Sequence, residues 1–149
     1  MQKTMTQEEI DAEYARQKAF FDPKLLAKGK KPQSPSNKLT SDIIEYIRLL
    51  GGYARRVNVQ GTYDAAKGAY RKSGMKKGFE DIDVIMPINI NGIKVGLKCA
   101  IEVKIGRDKQ SPEQIARQQE INSCGGIYLV AKDMTSFNKD FTAALARYM

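Results

Sequence analysis

Asn91-Gly92 constrains the folding of this chain more than any other pair of residues. A two-residue hairpin turn needs positive φ at both central positions, and Asn followed by Gly tolerates that best. The flanks agree with a hairpin. Residues 81–87, DIDVIMP, predict a strand ended by Pro87, and residues 94–104 predict the return strand. Side chains alternate along a strand, so Asp81 and Asp83 share one face, and Glu102 and Lys104 share one face of the partner. The alternate positions Ile101 and Val103 are apolar and point to a core. With Asp81 opposite Glu102, their Cβ atoms stand about 5 Å apart. Two carboxylates and a lysine then gather on one polar edge of rigid strands.

The rest of the chain supplies layers for this hairpin. Residues 6–21 predict a helix, with Thr6 and Glu9 as a capping box. A Pro-, Lys- and Ser-rich segment follows and reads as a linker, so residues 1–39 form a helical extension with a basic linker and residues 40–149 the domain. Residues 41–50 predict a short helix stopped by Gly51-Gly52, and residues 53–59 a strand. Residues 60–80 are irregular, with a short strand over 69–72. Ser111, Pro112 and Gln114 open a helix over 111–123 as cap, first helical residue and capping-box partner. Residues 127–131 predict a buried strand and 136–148 a last helix with Phe137 and Phe141 on one face. Cys124, beside a helix end, is expected to be buried. The class is α/β, a mixed sheet flanked by helices.

Absences narrow the chemistry. Among 149 residues there is no histidine, which excludes Ser-His-Asp and Cys-His catalysis and histidine-ligated zinc. Acid–base and metal chemistry must come from Asp, Glu, Lys, Tyr and Arg. The two cysteines form no CxxC pattern and fit a reducing cytosol. No apolar run approaches the ~20 residues of a membrane helix, and the polar, acidic start is no secretory signal. The expected setting is the cytoplasm, without membrane association. The net charge of +8 lies between residues 21 and 80, where 21–60 contribute +5 and 61–80 contribute +3. A localised basic stretch suits a phosphate backbone. Arg55, Arg56, Asn58, Tyr63, Arg71, Lys72, Lys76, Lys77 and Arg107 are the candidate nucleic-acid contacts. A few carboxylates with water are the donors that Mg²⁺ or Mn²⁺ prefers. Lys104 would stabilise developing negative charge beside them.

Taken in order, several segments resemble the VRR-NUC (virus-type replication-repair nuclease) branch of the PD-(D/E)XK nucleases. Arg56-Val-Asn58 is similar to that family's R-x-N strand, and Gly78-Phe-Glu-Asp81 stands where G-x-P-D is found. Glu102-Val-Lys104 matches E-x-K, and Gly106-Arg107 precedes Ser111-Pro-Glu-Gln114 as in GR…S-x-x-Q. Gly125-Gly126 then opens a strand. The resemblance spans roughly residues 40–135 and departs at Glu80, where proline is frequent.

It implies a restriction-endonuclease-like αβββαβ core and hydrolysis of DNA phosphodiesters with Mg²⁺ or Mn²⁺. Asp81 and Glu102 would be metal ligands, with the Val103 carbonyl as a third and Glu45 of the first helix as a further contact. Lys104 would be the catalytic lysine, and Gln114 would line the site. Glu45 reads equally well as a solvent-facing helix residue, and Asp83 as a salt-bridge partner. Stand-alone phage-type members of this size resemble structure-specific nucleases for branched DNA such as Holliday junctions, in phage replication, recombination or repair. If phage-encoded, the chain would act in the host cytoplasm. Cutting two strands calls for two sites, hence a homodimer. A monomeric nicking or flap nuclease, or a DNA-binding module without turnover, are the alternatives.

Overall fold

A computed structural model of the protein describes Glu8 and residues 32–58, 61–72 and 74–149. Apart from Glu8, the helix expected over residues 6–21 lies outside them. The chain divides into two compact units, Met1–Gln33 and Ser34–Met149, and the sheet with its helices lies in the second.

The hairpin forms at the expected turn, with Asn91 at φ 51° and Gly92 at φ 82°. Strands β4 (Ile82–Ile90) and β5 (Ile93–Val103) pair antiparallel from Ile82↔Ile101 to Ile90↔Ile93. Pro87 does not end β4 as expected; it pairs with Gly96 inside the strand. Strand β1 (Tyr53–Arg56) flanks β4 only from Ile82 to Ile85. Pro87 therefore lies on a stretch with no strand on that side among the described residues, where a missing N–H is tolerated. β1 is also shorter than the expected 53–59.

The sheet order is β1-β4-β5-β6, with β6 (Ile127–Ala131) parallel to β5 and the other pairs antiparallel. Between β1 and β4 the chain makes a two-stranded ribbon, β2 (Thr62–Asp64) with β3 (Ala69–Arg71), of which sequence reading finds only the second strand. With the ribbon as an insertion, the core order is αβββαβ, as expected.

Helix α1 (Pro35–Leu49) starts earlier than residue 41 and takes in part of the expected linker. Ser34 caps it, accepting from the Asn37 N–H at 3.3 Å, and Pro35 fills the first turn, where no N–H is needed. Its Leu39, Ile43 and Ile47 recur every four residues and are buried with Ile82, Val84, Ile101 and Val103. Each such side chain, fully buried, contributes about 2 kcal/mol. Helix α3 (Met134–Leu145), capped by Asp133, adds Phe137 and Phe141 to the same core, with ring centroids 5.3 Å apart. A 3₁₀ turn, Ala146–Tyr148, follows it. Helix α2 (Pro112–Ser123) has the expected capping box and covers the opposite face, where Ile121 meets Ala100 and Tyr128. Cys124 caps the end of α2 and is exposed, not buried as expected; Cys99 is the buried cysteine. Among the described residues no helix is long and apolar enough to cross a membrane.

Candidate active site

The strand register decides which side chains meet under α2. On β5, Ile101 and Val103 enter the core of α1 and α3, so Glu102 points the other way. One step beyond Ile82↔Ile101, the same register brings Asp81 level with Glu102. The Asp81 carboxylate accepts the Val103 backbone N–H at 2.8 Å, and its own carbonyl accepts the Val57 N–H at 2.8 Å. Asp81 is thus pinned between β1 and the end of β5.

On the expected polar edge both Glu102 and Lys104 are buried, and Gln114 of α2 reaches Glu102. Glu102 is 2% exposed. Its Oε1 faces Lys104 Nζ at 3.1 Å and also accepts from Gln114 Nε2. Its Oε2 is buried without a hydrogen-bond partner among the described residues. Burial, and then the charge of Asp81, push the Glu102 carboxyl up to about 7. For Lys104, burial disfavours the charge. The hydrogen bond and charge of Glu102, with Asp108 and Asp81, outweigh that and hold it above the ordinary lysine value. Lys104 is therefore a cation, 3.6 Å from Asp108 as well.

Gln114 links helix start to site. Its Oε1 accepts the Ser111 N–H at 2.8 Å, completing the capping box, and its amide nitrogen donates to Glu102. The cap that begins α2 therefore also orients the carboxamide over the carboxylate.

The other candidates are spread more widely. Glu45 is exposed on α1, whose buried face packs on the far side of the sheet. Among the described residues, no three acidic or thiol side chains come together as a metal cluster. The Val103 side chain is in the core. Arg55 donates to Asp83 at 3.2 Å, and Arg56 to Asn37 at 2.6 Å. Asn58, Tyr63, Arg71, Lys72, Lys76, Lys77 and Arg107 are exposed.

A search of solved structures finds a VRR_NUC domain with a TM-score of 0.50 and 19% identity, covering 72% of this chain and 94% of that one. No family model matches the sequence, and no curated protein does. The chain has the fold of a VRR_NUC domain.

Beside Asp81 on this VRR_NUC-like fold lies a second charged cluster that sequence reading does not anticipate. Glu80, 2% exposed, receives Lys98 Nζ at 2.8 Å on one oxygen and Arg117 Nε at 3.2 Å on the other. Lys98 also donates to Asp83. Burial raises the Glu80 carboxyl, but hydrogen bonds from Lys98, a backbone donor and Arg117 outweigh it and hold it below the usual range. Asp83 behaves alike, with Lys98 and Arg55 outweighing burial. Arg117 also lies over the Phe79 ring at 4.6 Å. Gly78, at φ 92°, sits so close to the Glu113 backbone that a Cβ would come within 2.7 Å of it. The segment 78–81 is thereby clamped to α2. Glu80 is fully engaged in this clamp. The signal for it is in the sequence: Lys98 lies on the same face of β5 as Glu102, and Arg117 lies three residues after Gln114.

Proposed function

We propose that the chain is a DNA endonuclease dependent on Mg²⁺ or Mn²⁺, cutting branched DNA such as Holliday junctions as a homodimer in phage replication, recombination or repair. One observation carries this reading. On a VRR_NUC-like fold, a buried Glu102 with an unpartnered Oε2 stands beside Asp81, with Lys104 against its other oxygen. An unpaired buried carboxylate oxygen costs stability unless something binds it.

A divalent cation fits these donors. Mg²⁺ is commonly held by one or two carboxylates and several waters. Asp81 and Glu102 would hold it, with the Val103 carbonyl as a third donor. When bound, the ion supplies positive charge at the phosphodiester and makes a coordinated water more acidic. The protein's own groups do the rest. Lys104, kept protonated by Glu102 and Asp108, donates to the oxygen on which negative charge develops. Gln114 holds the Oε1 of Glu102, which leaves Oε2 for the ion. Exposed Arg55, Arg56, Lys72, Lys76, Lys77 and Arg107 bring phosphates to the site.

The test is cleavage of a panel of four-way, flapped, duplex and single-stranded DNAs in Mg²⁺, in Mn²⁺ and in EDTA. Metal-dependent cutting of the branched substrates is expected. Binding without cutting in any metal would mean a DNA-binding module, and a preference for flaps or nicks would move the substrate away from junctions.

A further inference from the structure

We infer that the β2–β3 ribbon is a stacking element, and that its paired tyrosines take up an unpaired base at a DNA branch point. The inference rests on the nuclease reading above and specifies what that site selects.

Tyr63 and Tyr70 are cross-strand partners in the ribbon, edge to face at 5.2 Å between centroids. Such a pair usually holds a hairpin to a core. Here the rings are 54% and 75% exposed, and among the described residues β2 and β3 pair only with each other. A two-stranded hairpin is marginal alone in water, and nothing in its own fold requires two aromatic rings to face solvent. Two exposed π-faces on a short ribbon are a platform for a nucleobase, which stacks with little regard to sequence.

The charge around the rings names the partner. Residues 62–77 carry five cations, Lys67, Arg71, Lys72, Lys76 and Lys77, against the one carboxylate of Asp64. All five cations are exposed. Aromatic rings flanked by solvated cations suit a polyanion that bears flat apolar rings, and single-stranded nucleic acid is that polyanion.

The neck of the ribbon sets its distance from the chemistry. The chain leaves the sheet after Val57 and returns at Asp81, and the Val57 N–H to Asp81 carbonyl bond closes the loop at the metal-binding candidate itself. Tyr63 is six residue steps from Val57, so its backbone lies within about 20 Å of that neck at full extension. That is the span of about six base pairs. A base held by the ribbon and a phosphate at Asp81 thus belong to one branch point. Bases inside a continuous duplex are stacked on their neighbours and offer no free face. Bases at a junction or flap unstack at lower cost, so the ribbon favours branched over linear DNA.

The experiment compares full-length wild type with Tyr63→Leu/Tyr70→Leu and Tyr63→Phe/Tyr70→Phe in EDTA, so that binding is read without cleavage. The probes are a four-way junction with 2-aminopurine at the branch point and a linear duplex of the same composition. Wild type should change the 2-aminopurine emission and prefer the junction by about tenfold or more, since stacking of one base is worth about fivefold to a hundredfold. Leucine keeps an apolar ribbon without a π-face, so its double variant should lose most of the junction affinity and only a smaller factor for duplex. The phenylalanine variant should keep the preference. An unchanged junction-to-duplex ratio in the leucine variant, or unchanged emission in wild type, overturns the inference while wild-type cleavage leaves the nuclease reading standing. A wild type that neither binds nor cuts any DNA overturns both.

Discussion

Glu80 and Glu102 are equally buried, at 2% exposure each, under the same helix and within reach of the same strand, β5. Their surroundings differ in kind. Glu80 has a cation on each oxygen and is held below the usual carboxylate range. Glu102 shares one oxygen between Lys104 and Gln114, leaves the other without a partner, feels the charge of Asp81, and rises to about 7. A buried charge that is fully paired specifies structure. A buried charge left incomplete beside a like charge is held in place by the rest of the fold, and such arrangements concentrate at functional sites. The difference separates a clamp at one end of this sheet face from the proposed reaction site at the other.

The largest expected effect comes from Glu102→Gln and Asp81→Asn. Each removes a proposed ligand and with it the activated water, so junction cleavage in Mg²⁺ should fall by about a thousandfold or more. In Glu102→Gln the amide ends the repulsion with Asp81 but also gives up the pair with Lys104, so stability should change by about 1 kcal/mol or less. Single-turnover rates and urea melts on the same preparation read both. Cleavage within tenfold of wild type would end the contrast with Glu80.

Lys104→Met comes next. It keeps the stem and loses the charge, so metal and DNA binding should persist while the rate falls by about a hundredfold to a thousandfold. If the rate is kept and only the melting point drops, Lys104 belongs with Lys98 as a structural cation.

Much of this contrast was legible from residue order. Asn91-Gly92 and the alternation on both sides of it are local signals, so the hairpin, its register and the meeting of Asp81 with Glu102 follow from them. Ser111-Pro112 and Gln114 likewise announce α2. What alternation cannot encode is which face a distant helix will cover. Glu102 and Lys104 read as a polar edge from alternation alone, which says nothing of how deeply α2, through Gln114, encloses Glu102. The Glu80 cluster joins a loop, a strand and a helix, so its strand and helix spacings are legible one by one but their meeting at Glu80 is not. The start of α1 was hidden differently: Ser34-Pro35 is a cap and first-turn pair set in a Pro- and Lys-rich segment whose composition reads as linker. The strand through Pro87 was hidden because the rule against proline in sheets applies to central stretches, and this one lacks a neighbour on one side.

Glu80→Gln tests the paired side of the comparison. Lys98 and Arg117 are partly exposed and can turn to water, so the loss is smaller than for a sealed ion pair. A stability decrease of about 1–3 kcal/mol is expected, with m-values unchanged. Cleavage should fall far less than in Glu102→Gln, since the clamp acts through the position of α2. A variant as stable as wild type but inactive would mean that Glu80, like Glu102, serves the chemistry.

The smallest effect belongs to Arg55, at the rim of the clamp. Its side chain is 61% exposed, and it shares the Asp83 carboxylate with Lys98, one oxygen each. An exposed pair of this kind is worth about 0.5 kcal/mol or less. Arg55→Ala should therefore melt almost with wild type. If Arg55 also meets a DNA phosphate, the variant should bind all DNA forms a few-fold more weakly, and the slope of log affinity against log salt should fall by about one. Both readings come from one titration series over rising salt together with one urea melt. An unchanged slope assigns Arg55 wholly to Asp83. A stability loss well above 1 kcal/mol would show that the clamp extends to the surface, and the division between a paired interior and an incomplete site would have to be drawn through β1 instead of at Asp81.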